Sequence, residues 1–310
     1  MRRIIAAALA LASLSPAWGA DRTAPIDLPG DRLFPESVSI GPGNLAYVGS
    51  LTGGVLRVNL ETGTVEQWIA PGAFGSGAQF GVFADTHNHL LWTCTNDFSA
   101  RGVTVAGADS GTWLKGFDLA TGKGKISLQL PDKGAVCNDV AVGKDGALYI
   151  ADTAFPHILR WKPGSDALEV WKEDPVFGAG LDGIAFGGDG NLYINNVRNG
   201  ALFRVGMGAD GSAGAVTQLK TSRPLVSPDG MRAMGGMRFA LAESSGTVSR
   251  LKVKGNTVEV TQLAEKVSQP TGVDVAGNTV WYVQGHVGAL FNPARPQPAL
   301  PFRLTPVPNR

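Results

Sequence analysis

Asn138-Asp-Val-Ala-Val-Gly-Lys-Asp-Gly-Ala-Leu-Tyr-Ile-Ala-Asp-Thr153 and Asp182-Gly-Ile-Ala-Phe-Gly-Gly-Asp-Gly-Asn-Leu-Tyr-Ile-Asn-Asn-Val197 are one pattern written twice. Each copy has a short apolar strand, a turn centred on Asp-Gly, and a second strand that opens Leu-Tyr-Ile. Asp-Gly between two alternating apolar runs is a hairpin signal, because glycine adopts the positive φ that a tight turn requires. Four further segments share the layout: Glu36-SVSIGPGNLAYVGS, Phe80-GVFADTHNHLLWTCT, Asp229-GMRAMGGMRFALAES and Thr271-GVDVAGNTVWYVQG. Their first residues are spaced 44, 58, 44, 47 and 42 apart, a mean of 47.

Each unit continues with two more alternating runs, as in Gly54-VLRVNLETG with Thr64-VEQWIA, and His157-ILRWKPG with Ala167-LEVWKED. Four antiparallel strands repeated six times predict an all-β fold, a six-bladed β-propeller occupying residues 21–310 as one domain. The long second interval marks an insertion from Asp97 to Gly111, expected as a loop over one face. The last blade is expected to take its outer strand from Pro301-FRLTPV or from Ala24-PIDL, with Pro293 to Pro301 an extended connection. Composition agrees: of 310 residues 42 are Gly and 44% are hydrophobic, which suits short strands and excludes a disordered chain. Lys plus Arg (27) balances Asp plus Glu (26), so the basic excess of a nucleic-acid binder is missing.

The N-terminus reads Met1-Arg2-Arg3, an apolar run from Ile4 to Leu14, then Ser15-Pro16-Ala17-Trp18-Gly19-Ala20. That order is a secretory signal peptide over residues 1–20, cut after Gly19 or Ala20. The run is too short to span a bilayer, and no later stretch reaches the roughly 18 apolar residues a spanning helix needs. The mature chain is therefore expected to be exported, to the periplasm or beyond, with no membrane partner. Its two cysteines, Cys94 and Cys137, form no Cys-x-x-Cys motif and are read as two small buried residues. A bridge between them would need the fold to bring their Cα atoms within roughly 7 Å.

The first residues of the six units, Glu36, Phe80, Asn138, Asp182, Asp229 and Thr271, hold equivalent places just ahead of the inner strands. Inner strands begin beside the central channel, so these side chains should converge at one mouth of it. Three carboxylates and an amide gathered there repel one another unless protonated or met by a cation. Oxygen donors suit a hard divalent ion, Ca²⁺ first, then Mg²⁺ or Mn²⁺, with Zn²⁺ as a further option. Asp-Gly and Asn-Asp also serve as plain strand-entry turns, which explains any one unit but not four of six.

At these residues the sequence resembles the senescence-marker-protein, gluconolactonase and luciferin-regenerating-enzyme family of six-bladed propellers. The matching pieces are Pro35-Glu36-Ser37-Val38, Cys137-Asn138-Asp139, Leu181-Asp182-Gly183-Ile184 and Ser227-Pro228-Asp229-Gly230-Met231, within a layout spanning Leu33 to Gly285. The resemblance implies one divalent metal held by Glu36, Asp182 and Asp229, with Asn138 beside metal or substrate. It also implies hydrolysis of a lactone, the metal polarising the carbonyl and Asp229 helping to activate water. The chain departs from the family twice. Asp182 stands where Asn is common, adding a negative charge. Val136 stands where sugar lactonases usually carry Arg. Val136 and Phe80 are therefore read as apolar substrate contacts, favouring alkyl- or aryl-substituted lactones over sugar lactones.

Weaker signals have plainer readings. His87 and His89 sit in a turn, away from the ring, while His286 could line the pocket. The glycine-rich run from Gly72 lacks the context of a phosphate loop and reads as a connection between blades. No Gly-x-Ser-x-Gly elbow occurs, which argues against a serine esterase. The rivals to a metal-dependent lactonase are a non-enzymatic propeller that binds a ligand or protein, and a strictosidine-synthase-like condensing enzyme.

Overall fold

Alternating runs separated by glycine turns can bury only one face each, so they pair into sheets and the sheets stack. In the computed structural model, which describes residues 23–310, they form six such sheets. The leader read at residues 1–20 lies outside the described residues. The inner strands are Pro35–Gly41, Ala78–Asp85, Cys137–Val142, Leu181–Phe186, Pro228–Ala233 and Pro270–Ala276, of blades 1 to 6 in chain order. Each touches the next, and the sixth touches the first, so the ring is closed. Blades 1 to 4 are four-stranded antiparallel meanders; blade 5 carries a short extra strand, Lys220–Thr221, parallel to its outer edge.

Blade 6 uses both segments that the sequence offered as alternatives. Phe302–Pro308 is its third strand and Ile26–Leu28 its outermost, with Ile26 opposite Leu304 and Leu28 opposite Phe302. The expected insertion follows the second strand of blade 2, and its Phe98 ring lies 5.4 Å from Phe80 and 5.3 Å from Phe291. Phe291 ends α1, Val287–Phe291, a short helix between the second and third strands of blade 6. Insertion and helix thus meet above the same end of the channel. Aromatic pairs fill the spaces between blades: Trp92 packs edge-on to Trp161 at 4.9 Å, and Tyr193 against Phe239 at 4.9 Å.

The small residue after each ring position explains how six strands can abut so tightly. A Cβ on Gly81 would lie 2.3 Å from the Asn138 carbonyl oxygen, and one on Gly183 2.4 Å from that of Asp229. Gly230 and Gly272 stand in the same relation to Thr271 and Glu36. The two units without glycine use a short polar side chain instead: Ser37 Oγ accepts from Val82 N, and Asp139 Oδ2 from Ile184 N. Each blade is thereby keyed to the next.

Cys94 and Cys137 are joined in a disulfide, with Cα atoms 5.1 Å apart, which corrects the reading of two separate buried thiols. The second strand of blade 2 leans against the start of blade 3, a neighbour relation that spacing along the chain does not reveal. Asn96 reinforces the junction, its side chain donating to Cys137 O and accepting from Cys137 N. Removing the bridge by Cys94→Ser with Cys137→Ser frees a 43-residue separation in the unfolded chain. We expect a loss of ~2–4 kcal/mol in denaturant unfolding. Peptide mapping without reductant should recover the Cys94–Cys137 linked pair, and two free thiols there would contradict it.

Candidate functional site

Every inner strand carries a register irregularity that straddles its ring position, for example between Pro35 and Ser37 and between Leu181 and Ile184. A bulge at that point breaks the ladder and re-aims one side chain. The outcome is that all six ring residues line one cavity of about 380 Å³ at the channel mouth. They are buried, from 1% exposed at Thr271 to 8% at Phe80 and Asp229. Thus Glu36, Phe80, Asn138, Asp182 and Asp229 are brought together as their sequence positions imply.

Hydrogen bonds set the orientation of the donors. Thr153 Oγ1 donates to Leu181 O, so it can only accept from Asn138 Nδ2. Asn138 Nδ2 also donates to Asp182 Oδ2 at 2.9 Å, which leaves Asn138 Oδ1 as the free acceptor. Asp182 Oδ1 is buried with no partner. Asp229 Oδ1 accepts from Gly230 N, and its own backbone oxygen is held by Asn195 Nδ2 at 2.7 Å. The loop entering this strand is anchored by fully buried Glu243, which takes two bonds from Arg223 and one from Val226 N.

The electrostatics follow from burial. Glu36 and Asp182 are both pushed well above the usual carboxylate range, first by desolvation and then by Asp229 and other nearby carboxylates. Asp229 is raised to about 8, chiefly by burial, with the Gly230 N–H pulling it back and the Asp139 charge adding to the rise. Below the ring lies a residue that the sequence reading passed over. Arg232 of blade 5 reaches across the channel to Asp139 Oδ2 of blade 3 at 2.5 Å and donates to Val82 O of blade 2 at 3.0 Å. Burial alone would lower the Arg232 pKa, but Asp139, then Asp274 and Glu36, more than reverse it. The signal in the sequence was a lone Arg inside an apolar inner strand.

Other expected contacts fall elsewhere. Val136 lines a second cavity of about 690 Å³ between blades 2 and 3, with Phe98, Arg101 and Lys133, and not the mouth cavity. His286 precedes α1 and packs near Phe302 without lining the mouth. His87 and His89 are exposed in their turn, as read. Arg295, which the sequence did not single out, does line the mouth.

The donor set suits a hard cation: three carboxylates, among them Asp182 with its unpartnered Oδ1, and the free amide oxygen of Asn138. As they stand the carboxylates are spread, and among the described residues no three His, Cys, Asp or Glu side chains are close enough to hold an ion. Occupancy would require them to draw inward, which neutralising their mutual repulsion favours.

Fold and mouth together define the class: a closed six-bladed propeller with an acidic channel entrance. No family model matches the sequence, and no curated protein matches it either. Solved structures match through the fold. A gluconolactonase from Xanthomonas campestris aligns at TM-score 0.62 and 16% identity, over 96% of this chain and 99% of its own. Luciferin-regenerating enzyme aligns at TM-score 0.66 and 10% identity, over 92% and 95%. A streptogramin B lyase shares the fold at TM-score 0.59 and 15% identity, over 84% and 94%. The chain therefore has the fold of the group it resembles in sequence, a fold that also carries a lyase.

Two measurements test this electrostatic account. In chelator, folded Asp229 keeps its proton to about 8 while the unfolded chain releases it near 3.8. Unfolding then releases a proton between those values, so melting temperature should fall as pH rises from about 4 to 8. A flat or rising profile contradicts it. Separately, Arg232→Met leaves Asp139 buried and unpaired and should cost ~3–5 kcal/mol, partly recovered by adding Asp139→Asn.

Proposed function

We propose that the protein is an exported, lactonase-like hydrolase that opens a small lactone or related ester at the channel mouth. The observation that carries this reading is the convergence of three buried carboxylates with raised proton affinity and one oriented amide on a single cavity. Glu36, Asp182 and Asp229, with Asn138 Oδ1, would hold one divalent cation, Ca²⁺ before Mg²⁺, Mn²⁺ or Zn²⁺. Such an ion supplies Lewis-acid polarisation of the substrate carbonyl when bound. The chain's own groups do the rest. Asp229 has one oxygen engaged by Gly230 N–H, so Oδ2 is the atom that takes the proton of the attacking water. Returning that proton to the alkoxide released by ring opening leaves a hydroxy acid. Phe80, Val197 and Val287 give the cavity apolar wall, which excludes bulk water and supports the local charge effects.

Export is proposed from the leader sequence and is supported by the Cys94–Cys137 bridge, since disulfides persist in oxidising compartments. A second reading, a propeller that binds a ligand without turning it over, is favoured by the open spacing of the carboxylates. Turnover separates the two.

Elemental analysis of the purified protein should find about one equivalent of divalent metal, reduced by Glu36→Gln. Added Ca²⁺ should raise the melting temperature at pH near 8, where the carboxylates are hardest to keep protonated. On a lactone panel, Asp229→Asn should lower kcat at least about a hundredfold with the fold retained. Full activity in that variant would remove Asp229 from the mechanism. A metal-free protein whose melting temperature ignores Ca²⁺ would remove the cation.

A further inference from the structure

Among the described residues the mouth cavity has one cationic side chain, and its placement is built rather than incidental. Arg295 lies in the irregular segment after α1 and lines the cavity together with Glu36, Asp182 and Asp229. Among the described residues its guanidinium makes no ion pair or hydrogen bond, although three carboxylates share the same cavity. The guanidinium therefore stays beyond ion-pair reach of the acidic floor, against Gly288 of α1, with Phe80, Val197 and Val287 contributing apolar wall.

Gly288, in the first turn of α1, makes room for it. A Cβ there would lie 2.7 Å from Arg295 Nη1 and 3.5 Å from its Cδ and Cζ. The backbone of Gly288 is not in the left-handed region, so nothing in its conformation calls for glycine. Glycine is a poor helix former, and the space it leaves is filled by the guanidinium.

We propose that Arg295 determines substrate choice, and that the preferred substrate is a lactone or ester carrying a carboxylate remote from the reacting carbonyl. This rests on the hydrolase reading above and adds the substrate class to it. With the carbonyl placed on the acidic floor, the far end of a small ligand meets the only cation that lines the cavity among the described residues. A guanidinium pairs with a planar carboxylate through two parallel hydrogen bonds. A phosphate dianion would bring twice the charge into a cavity already holding three carboxylates, so the carboxylate is the better match.

The test uses the full protein with Ca²⁺ and two probes of the same ring size, neutral γ-butyrolactone and its carboxylated form, paraconate. Wild type should show the higher kcat/KM on paraconate. In Arg295→Gln the ratio of kcat/KM on paraconate to that on γ-butyrolactone should fall about tenfold, the loss lying in KM. Arg295→Lys should keep part of the preference. Gly288→Ala, which leaves the charge but displaces the guanidinium and suits a helix, should lower the same ratio. Equal losses on both probes, or a wild type without preference, overturn the proposal. If wild type opens neither lactone, the hydrolase reading fails on its own, and calorimetric titration with paraconate still judges Arg295. Binding weakened about tenfold in Arg295→Gln upholds the contact. Binding that is absent from wild type, or unchanged in the variant, overturns it.

Discussion

The centre of this propeller depends on one guanidinium spanning its channel. Arg232 leaves blade 5, pairs with Asp139 in blade 3 and caps a carbonyl in blade 2, so it ties three blades across the open middle of the ring. Around it are buried Glu36, Asp182 and Asp229 and half-buried Asp274, each desolvated enough for its proton affinity to rise. One positive charge against that number leaves a negative excess in a poorly solvated space. Such an excess is tolerated only by binding protons or a cation. The acidity of the mouth and the demand for a counterion are thus a single property, set by how little compensation the floor provides.

The ring itself was legible because it repeats. A bulge at the same place in every inner strand turns an equivalent residue toward the axis, so position in the 47-residue mean period was enough to collect six side chains in one cavity. Residues outside that register were not legible for the same reason. Arg232 sits three places after Asp229, and its partner is in another blade; alternation along one strand says nothing about what lies across a channel. The disulfide depends on how blade 2 leans on blade 3. Val136 precedes Asn138 by two residues, yet the strand entry carries it into the neighbouring cavity. Arg295 lies where the repeat has lapsed, in a proline-rich connection with no period to read.

Scaffold and selectivity are divided accordingly. The repeating strands supply the floor, where placement must be tight and each inner strand is keyed to the next by a glycine or a short polar side chain. The irregular pieces, the blade 2 insertion and the segment around α1, meet above that floor through Phe98 and Phe291. Loops on a rigid frame are where recognition can change without disturbing the core. A change of substrate in this architecture would be made in the roof, with the acidic floor left alone.

Ring closure has a consequence for the order in which the molecule can form. The outermost strand of blade 6 is Ile26–Leu28, and its partner is Phe302–Pro308, at the other extreme of the chain. Blades 1 to 5 can each fold from contiguous sequence as it emerges, but the seam must wait for nearly every residue to be present. Until then the first and last inner strands, which touch in the finished ring, have unsatisfied flanks. Under the proposed export, that waiting strand would be among the first segments to arrive and the last to be paired. Its three residues alternate buried and exposed, with Asp27 turned outward, which limits how much apolar edge is on offer meanwhile.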